Sequence, residues 1–447
     1  MQRNNITTKR RIRMENYENL AKQQRAFFLT GQTKPIDFRI NSLNTLQNAI
    51  NKHEKEILAA LRKDLNKSEV EGYATEIKIV LEEIKFSLEN LKGWMQPKKV
   101  DTPSFLTGAS SVIYPEPYGV ALIIAPWNYP FQLAIAPLIG AMAAGNCAVL
   151  KPSEFTPSTS KVLATLVREN FPDDYIAVVE GEVETSTALL KEQFDYIFFT
   201  GSTPVGKVVM EAAAKHLTPV TLELGGKSPC IVHSDAQITT AAKRIARGKF
   251  LNAGQTCVAP DYILVQRQVK EQFLDELKDA IQDLYGEDIS RNPDFPKVVN
   301  EKQFKRLSTF LKDGTLYFGG RTDSSRNFIE PTVLDQIAWT DPVMKDEIFG
   351  PILPVIVYDE LSEIIEEITK RPKPLALYIF SESEAVQDQI LSSVSFGGGC
   401  INETLAHLTS PYLPFGGVGE SGMGSYHGQV SFDTFSHRKS VLKRKAE

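Results

Sequence analysis

The sequence predicts an α/β protein with a doubly wound parallel sheet, a second α/β domain and a small β arm. The chain has 447 residues, of which 42% are hydrophobic and 23% charged, and this is enough for two or three domains with sizeable cores. Strand-like and helix-like segments alternate from residue 119 to about 222 and again from about 228 to 420, which is typical of parallel sheets with crossover helices. The small, β-branched and proline residues at 102–117 predict an exposed strand or hairpin.

The segments before this arm are predicted to be outer helices. Apolar residues recur at helical spacing among charges, as in "LQNAINKHEKEILAALRKDL" and "IKIVLEEIKFSLENLKGWM".

An uncharged run at 119–150 raises the question of a membrane-spanning helix. Three prolines, Pro126, Pro130 and Pro137, divide it into three short pieces. The prediction is a buried strand at 120–125, a helix from Pro130 and a second strand at 147–150, which together form a βαβ unit of a covered sheet. No membrane partner is therefore expected.

Charge and cysteine usage limit the partners and the compartment. There are 50 Lys and Arg against 55 Asp and Glu, for a net charge of -5, so no nucleic-acid partner is expected. The four cysteines are far apart and show no spacing typical of zinc ligands, so no metal is predicted. They indicate a reducing compartment, and without an apolar secretory core near the N-terminus the predicted location is cytoplasmic.

Two glycine-rich turns are candidates for a phosphate site. In "FFTGSTPVGKVV", Gly201, Ser202 and Gly206 join an apolar strand to a helix whose first backbone N–H groups could face a phosphate. From these residues alone, a purely structural turn is an equal alternative. The segment "GVGESG" at 417–422 matches a dinucleotide pattern formally but follows no apolar strand, so it is interpreted as a flexible loop packed near the site.

Three charged residues lie at predicted strand ends, where parallel sheets bind ligands. Lys151 and Glu154 in "KPSE" could hold phosphate or ribose, or could be a surface lysine and a helix-capping glutamate. Glu223 interrupts the apolar run "VTLELGG". Burial there would raise its pKa toward neutrality, as a general base requires, and an ordinary strand-end carboxylate is the other interpretation.

Cys257 stands in "NAGQTCVAP", after a helix expected to end near Gly254 and before a strand. Most free cysteines are buried and inert, so the position alone does not distinguish a nucleophile from a small apolar side chain. At an ordinary pKa of ~8.5, only a few per cent of a thiol is thiolate at neutral pH, so a nucleophile here would need activation by its neighbours.

Seven segments together resemble the aldehyde dehydrogenase superfamily. In chain order they are "PWNYP", "KPSE", "FTGSTPVG", "LELGGKSP", "GQTCVAPD", "EIFGPILPV" and "PFGGVGESGMG". The compact length, "PWNYP" and the ending "FDTFSHRKSV" are most similar to the class three branch, in a form without its hydrophobic C-terminal membrane tail.

The resemblance implies a domain organisation. A Rossmann-like NAD(P)-binding domain would comprise 1–102 and 118–222, and a catalytic domain 223–425. Bridging and oligomerisation segments would comprise 103–117 and 426–447, and in class three relatives such arms build a homodimer.

The resemblance also implies NAD(P)-dependent oxidation of an aldehyde to a carboxylic acid. It makes Cys257 the nucleophile that forms a thiohemiacetal, and it makes the Asn128 amide, with the Cys257 backbone N–H, the donors to the oxyanion. Glu223 is implied as the base that activates water for thioester hydrolysis. Because acyl-CoA-forming relatives typically lack this glutamate, a carboxylic acid product is expected.

The implied cofactor is NAD by preference, with NADP as the alternative, because Glu154 would repel a 2′-phosphate. Lys151 and Glu154 match contacts to the adenosine ribose, 201–206 matches the pyrophosphate turn, and Glu347 with Phe349 matches the nicotinamide end. The complete set of matching cofactor positions is Trp127, Lys151, Ser153, Glu154, Gly201, Ser202, Gly206, Glu347 and Phe349.

The implied substrates are medium-chain aliphatic or aromatic aldehydes, with Tyr129, Leu405 and His407 expected to line the tunnel. Two other functions are compatible with the residues. A cysteine hydrolase or acyltransferase would use Cys257, although none of the six histidines is recognisable as its partner. A binding protein on the same fold would need no catalysis.

Overall fold

The computed structural model describes residues 17–445 of the chain. Within this range there are two largely parallel sheets, a small antiparallel arm and packed helices, which confirms the predicted fold class.

The first sheet has six strands, five of which run parallel. In sheet order they are Gly422–Met423, Val220–Glu223, Tyr196–Thr200, Val120–Ile124, Cys147–Lys151 and Ile176–Val178. The direction in which strands are added reverses between Val120–Ile124 and Tyr196–Thr200. In a doubly wound sheet, the crevice beyond the carboxyl ends of two such strands is where ligands bind.

Helices pack around this sheet, and the described part of the first hundred residues is largely helical, as predicted. The helices are 17–29, Ile36–Lys52, Glu54–Leu65, Glu69–Gly72, Lys78–Trp94, Gln132–Ala144, Pro157–Asn170, Val183–Leu189 and Thr203–Ala214, with a π-helical turn at Tyr73–Ile77. Gln132–Ala144 is buried along its whole length. Pro137, expected to interrupt this run, lies inside the helix instead, because burial outweighs the loss of one helical hydrogen bond.

The second sheet has seven strands, all parallel except one at its edge. In sheet order they are Thr315–Phe318, Thr332–Asp335, Ile352–Tyr358, Tyr262–Gln266, Pro229–Val232, Ala376–Phe380 and Gly398–Ile401, and the first of these is the antiparallel one. The helices of this half of the chain are Ile238–Phe250, Lys270–Tyr285, Glu301–Phe310, Leu361–Thr369 and Glu384–Ser393. A further short helix, Gln429–Thr434, packs on Gln132–Ala144 of the first half.

Three antiparallel strands form the arm: Lys98–Val100, Ala109–Pro117 and Ser436–Arg444. The last two pair along nine residues, although they lie more than three hundred residues apart in the chain. Most residues of Ser436–Arg444 are exposed. Between residues 17 and 445 the structure has no helix long and apolar enough to cross a membrane.

Candidate active site

Cys257 follows a turn with an unusual backbone. The preceding helix ends at Phe250, not near Gly254 as the sequence indicated, and Asn252, Ala253 and Gly254 then have φ values of 52°, 53° and 71°. A left-handed conformation costs about 1–2 kcal/mol for a residue with a Cβ. Gly254 also has no room for a side chain, because a Cβ there would lie 2.2 Å from a backbone carbonyl oxygen of a neighbouring loop.

The Cys257 thiol is half-buried and lines a cavity. Burial raises its pKa to about 12, and the carboxylates of Glu347 and Glu223 contribute to the rise. The thiol therefore holds its proton at neutral pH, and a reaction at this sulfur requires a base to remove that proton.

The side chain of Asn128 is held against the Cys257 turn. Its Nδ2 donates to the backbone carbonyl of Gln255 at 3.1 Å, which leaves the second amide N–H for a ligand. The backbone carbonyl of Asn128 accepts hydrogen bonds from Lys67 Nζ at 2.9 Å and from Asn252 Nδ2 at 2.8 Å. These bonds fix the direction in which the amide can donate.

A buried ion pair that sequence reasoning missed supports this loop. Lys67 and Glu76 are both fully buried, and Lys67 Nζ lies 2.6 Å from Glu76 Oε1. The other oxygen of Glu76 accepts the backbone N–H groups of Phe131 and Gln132 at 3.0 and 2.9 Å. Burial raises the pKa of Glu76, and Lys67 opposes that rise. No sequence signal identified this pair, because charges in an amphipathic helical segment ordinarily indicate a solvent-exposed face.

Glu223 ends the strand Val220–Glu223 at the carboxyl edge of the first sheet. Its side chain is 2% exposed, and neither carboxylate oxygen has a hydrogen-bond partner within residues 17–445. Burial raises its pKa well above the ordinary value. A buried carboxyl group without partners is costly as a structural element, and it is free to exchange a proton with a thiol or a water molecule.

Lys151 ends another strand of the same sheet, Cys147–Lys151, and Ser153 and Glu154 follow it at the same carboxyl edge. Lys151 is 2% exposed, so it is not a surface lysine, and its Nζ lies 2.9 Å from Glu154 Oε2. Ser153 is also buried, and its Oγ accepts the N–H of Phe155 at 3.3 Å.

The helix Thr203–Ala214 begins after the strand Tyr196–Thr200, which pairs with Val220–Glu223, and Ser202 is its N-cap residue. The Ser202 side chain makes no capping bond, so the first N–H groups of the helix stay available. A Cβ at Gly201 or Gly206 would lie 2.5 or 2.7 Å from a neighbouring side chain. The glycines are thus required by packing, and the helix start also suits a phosphate group.

Glu347 and Phe349 share a loop beside the same crevice. The ring of Phe349 meets Trp127 edge-on, with centroids 5.2 Å apart, and Phe349 has a left-handed φ of 52°. Burial raises the pKa of Glu347 to about 8, with a further contribution from Asp261. A Cβ at Gly225 would lie 2.1 Å from Glu347 Oε2, so this carboxylate lies directly against the chain that follows Glu223.

Two charged residues of the recognised segments hold that loop, and sequence reasoning assigned them no role. Lys227 Nζ lies 2.5 Å from Asp261 Oδ2 and donates to the carbonyls of Val343 and Asp346 at 3.0 and 3.1 Å. Asp261 Oδ1 accepts the N–H of Ile348 at 3.0 Å. Their occurrence inside "LELGGKSP" and "GQTCVAPD", among mostly small and apolar residues, is a signal that could have identified them.

A cavity of about 390 Å³ has Cys257 in its wall. Tyr129 and Leu405 line it, as expected. The expectation for His407 is wrong, because it is not among the residues of the cavity wall; its ring stacks on the lining residue Phe415, with centroids 6.0 Å apart. His427 takes that place in the wall.

The glycine segment at 417–422 forms no phosphate-binding helix start. It makes a single 3-10 turn, Gly419–Ser421, and continues into the strand Gly422–Met423, which pairs with Leu222 and Glu223. The loop therefore lies beside Glu223, as expected for a segment packed near the site.

The structure thus brings an amide donor and two carboxylates close to the Cys257 thiol, which lines a mostly apolar cavity. Cys257 and Asn128 are linked through Gln255, and Glu223 and Glu347 are both close enough to raise the pKa of the thiol. Lys151 pairs with Glu154 elsewhere along the carboxyl edge of the first sheet, and Ser202 lies at the end of another strand of that edge. The groups at Cys257 can attack a carbonyl carbon, stabilise the resulting oxyanion and move protons.

Comparisons with known proteins match nearly the whole chain. A family model described as "Aldehyde dehydrogenase family" matches residues 1–441. The "4,4'-diaponeurosporen-aldehyde dehydrogenase" of Staphylococcus aureus (strain NCTC 8325 / PS 47) is 52% identical over 420 residues, 94% of this chain and 92% of that protein. "Aldehyde dehydrogenase, dimeric NADP-preferring" of Mus musculus is 45% identical over 431 residues, 96% of this chain and 95% of that protein. The solved structure "Substrate bound state of Staphylococcus Aureus AldH" has a TM-score of 0.94 and 50% identity, and the match covers 96% of this chain and 94% of that chain.

Proposed function

The chain belongs to the aldehyde dehydrogenase family, and from this premise we propose which of its residues carry the reaction. It is an oxidoreductase that oxidises aldehydes with NAD or NADP as electron acceptor, through the cysteine mechanism general to the family. The observation that carries the assignment is the buried Glu223 carboxyl without a hydrogen-bond partner, in the same site as the Cys257 thiol.

Cys257 is the proposed nucleophile. Its sulfur attacks the aldehyde carbon after losing its proton, and the carbonyl oxygen becomes the oxyanion of a thiohemiacetal. The free N–H of the Asn128 amide and the backbone N–H of Cys257 donate to that oxygen. NAD or NADP, when bound, would supply the acceptor for the hydride that the thiohemiacetal carbon loses as it becomes a thioester carbon.

Glu223 is the proposed general base. Its raised pKa and free oxygens suit it to take a proton from a water molecule, which then attacks the thioester carbon. The carbon–sulfur bond breaks, the sulfur regains a proton, and a carboxylic acid leaves. The mostly apolar cavity supports medium-chain aliphatic or aromatic aldehydes as substrates.

The function is tested by following the absorbance of reduced nicotinamide when purified protein is mixed with an aldehyde series and NAD or NADP. Aldehyde-dependent reduction is expected. Ester cleavage without any reduction of the cofactor would instead favour a cysteine hydrolase.

Lys67 is proposed to position Asn128 through its 2.9 Å bond to the Asn128 carbonyl. The variant Lys67→Met is expected to lower kcat about tenfold or more and to destabilise the fold by about 3–5 kcal/mol, because Glu76 loses its buried partner. Adding Glu76→Gln removes both charges and is expected to restore most of the thermal stability but not kcat. Thermal unfolding and kcat of the two variants separate these effects, and recovery of kcat together with stability would show that Lys67 acts only through folding.

The residues at the sheet edge fit a dinucleotide. Lys151 with Glu154 is proposed to contact the adenosine ribose, with Ser153 beside them, and the turn at 201–206, with Ser202, to hold the pyrophosphate. Trp127, Glu347 and Phe349 are proposed at the nicotinamide end. The support is a buried lysine paired with a carboxylate, and a helix start without a side-chain cap, both at the carboxyl edge of one sheet.

NAD is the proposed preferred cofactor, because Glu154 would repel the 2′-phosphate of NADP. The variant Glu154→Gln is expected to lower the NAD/NADP ratio of kcat/KM about tenfold by removing that repulsion. The ratio is measured with one aldehyde at saturating concentration. Equal efficiency with both cofactors in the wild-type protein would show that Glu154 does not discriminate.

We propose domain roles that follow the two sheets: cofactor binding by 1–102 and 118–222, and catalysis by 223–425. The arm segments 103–117 and 426–447 are proposed to join two copies in a homodimer. Support comes from the exposed arm strands, from the exposed Val205, Val208 and Met210 on one helix, and from the word "dimeric" in the name of the mouse relative. Light scattering during size-exclusion chromatography tests the dimer.

A cytoplasmic location is also proposed. The four cysteines, all within the described residues, are free thiols, as expected in a reducing compartment. Immunodetection in fractionated cells tests this location.

A further inference from the structure

The cavity at Cys257 carries a positive charge that the proposed reaction does not use. Arg247 lines the cavity and is exposed, whereas Tyr129, Phe415 and Tyr426 in the same wall are buried. Arg247 therefore lies toward the solvent end. Between residues 17 and 445, its guanidinium has no hydrogen bond and no ion pair.

The other charged residue in the lining, Glu403, is already paired. Its Oε2 lies 3.2 Å from Arg244 Nε, and its Oε1 accepts the N–H of Thr404 at 2.8 Å. Arg244 also donates to the carbonyl of Asn402. Glu403 is thus neutralised by Arg244, while the charge of Arg247 stays available to a ligand.

The rest of the cavity is mostly apolar and aromatic. Tyr129, Leu133, Leu405, Phe415 and Tyr426 surround the space between the exposed end and Cys257. A ligand that fills it therefore needs a reactive group at the Cys257 end, an apolar body, and an anionic group at the end near Arg247.

We propose that Arg247 binds a carboxylate at the far end of the substrate, so that aldehydes with a terminal carboxylate, the ω-oxo acids, are a substrate class of this enzyme. A planar guanidinium offers two parallel N–H donors that match the two oxygens of a carboxylate. The proposal rests on the proposed function, since it concerns the same cavity and the same thiol.

The test compares aldehydes in matched pairs of equal chain length: hexanal with adipic semialdehyde, octanal with suberic semialdehyde, and decanal with sebacic semialdehyde. The variant Arg247→Gln is expected to lower kcat/KM for the carboxylated member of the best pair about tenfold or more, mainly through KM, and to change the neutral member less than about twofold. Arg247→Lys keeps the charge without the paired donors. Its kcat/KM for the carboxylated member is expected to lie between the values of the wild type and of Arg247→Gln.

Lys243→Gln is the matched control, because it removes a positive charge from the same helix outside the cavity lining. It is expected to change the carboxylated-to-neutral ratio of kcat/KM less than about twofold. Added salt is expected to lower this ratio in the wild type and to leave it nearly unchanged in Arg247→Gln.

Two failures are distinguishable. If the wild type oxidises the neutral aldehydes but Arg247→Gln leaves the ratio unchanged, or lowers both members equally, the Arg247 proposal is overturned and the proposed function stands. If no aldehyde reduces NAD or NADP, the proposed function itself fails.

Discussion

Replacing Cys257 with alanine is expected to lower kcat for aldehyde oxidation at least about a thousandfold, because no other group in the site can form the covalent intermediate. The cavity and the sheet edge would be intact, so binding of NAD or NADP, measured by fluorescence titration, is expected to stay within about twofold. The rate of reduced nicotinamide formation measures the loss.

The matched control is Cys400→Ala, because Cys400 is half-buried like Cys257 but does not line the cavity. It is expected to retain nearly full activity. Alkylation of Cys257 by iodoacetamide, followed by mass spectrometry, gives a second measurement. Its rate is expected to rise steadily with pH, because a pKa of about 12 keeps the thiolate fraction small at neutral pH. Substantial turnover by folded Cys257→Ala would exclude this residue as the nucleophile.

The variant Glu223→Gln is expected to complete its first oxidation and then stop. A glutamine cannot take the proton of the hydrolytic water, so a burst of reduced nicotinamide should be followed by a steady rate lower by about a hundredfold or more. Stopped-flow absorbance resolves the burst, and intact-protein mass spectrometry detects the acyl group retained on Cys257.

The pH dependence follows from the raised pKa of Glu223. A group with a raised pKa holds its proton at low pH and becomes a base as the pH rises, so the wild-type steady rate is expected to increase with pH. In Glu223→Gln the deacylation rate should lose this dependence. Glu420→Gln is the control for the loss of a carboxylate near the site. Glu420 is exposed, belongs to the neighbouring loop and lies 3.4 Å from Lys207. An unchanged steady rate in Glu223→Gln would remove this residue from the mechanism.

Local sequence patterns were sufficient to predict the architecture. The alternation of apolar strands with amphipathic helices predicts the parallel sheets, because both periodicities are read within a few residues. The uncharged run at 119–150 was correctly interpreted as a strand, a helix and a strand. The position of Pro137 could not be predicted in this way, because a helix buried on all sides tolerates a proline that an exposed one would not.

The sequence by itself determined the fold class from its periodicity, and the resemblance of seven segments to a known family gave the family and the candidates Cys257, Asn128, Glu223 and Glu347. Only the tertiary structure decided what surrounds them. In the sequence, Lys67 and Glu76 have the pattern of a solvent-exposed helix face. In the structure they form a buried ion pair, and Lys67 donates to the Asn128 carbonyl.

The cavity wall shows the same division. The sequence pointed to His407, and both His407 and His427 stack on Phe415, but only His427 of the two lines the cavity. Glu403 forms its ion pair with Arg244, about 160 positions away in the chain, and Arg247 has no ion pair within the described residues. These contacts join side chains that are far apart in the sequence, so no local periodicity predicts them.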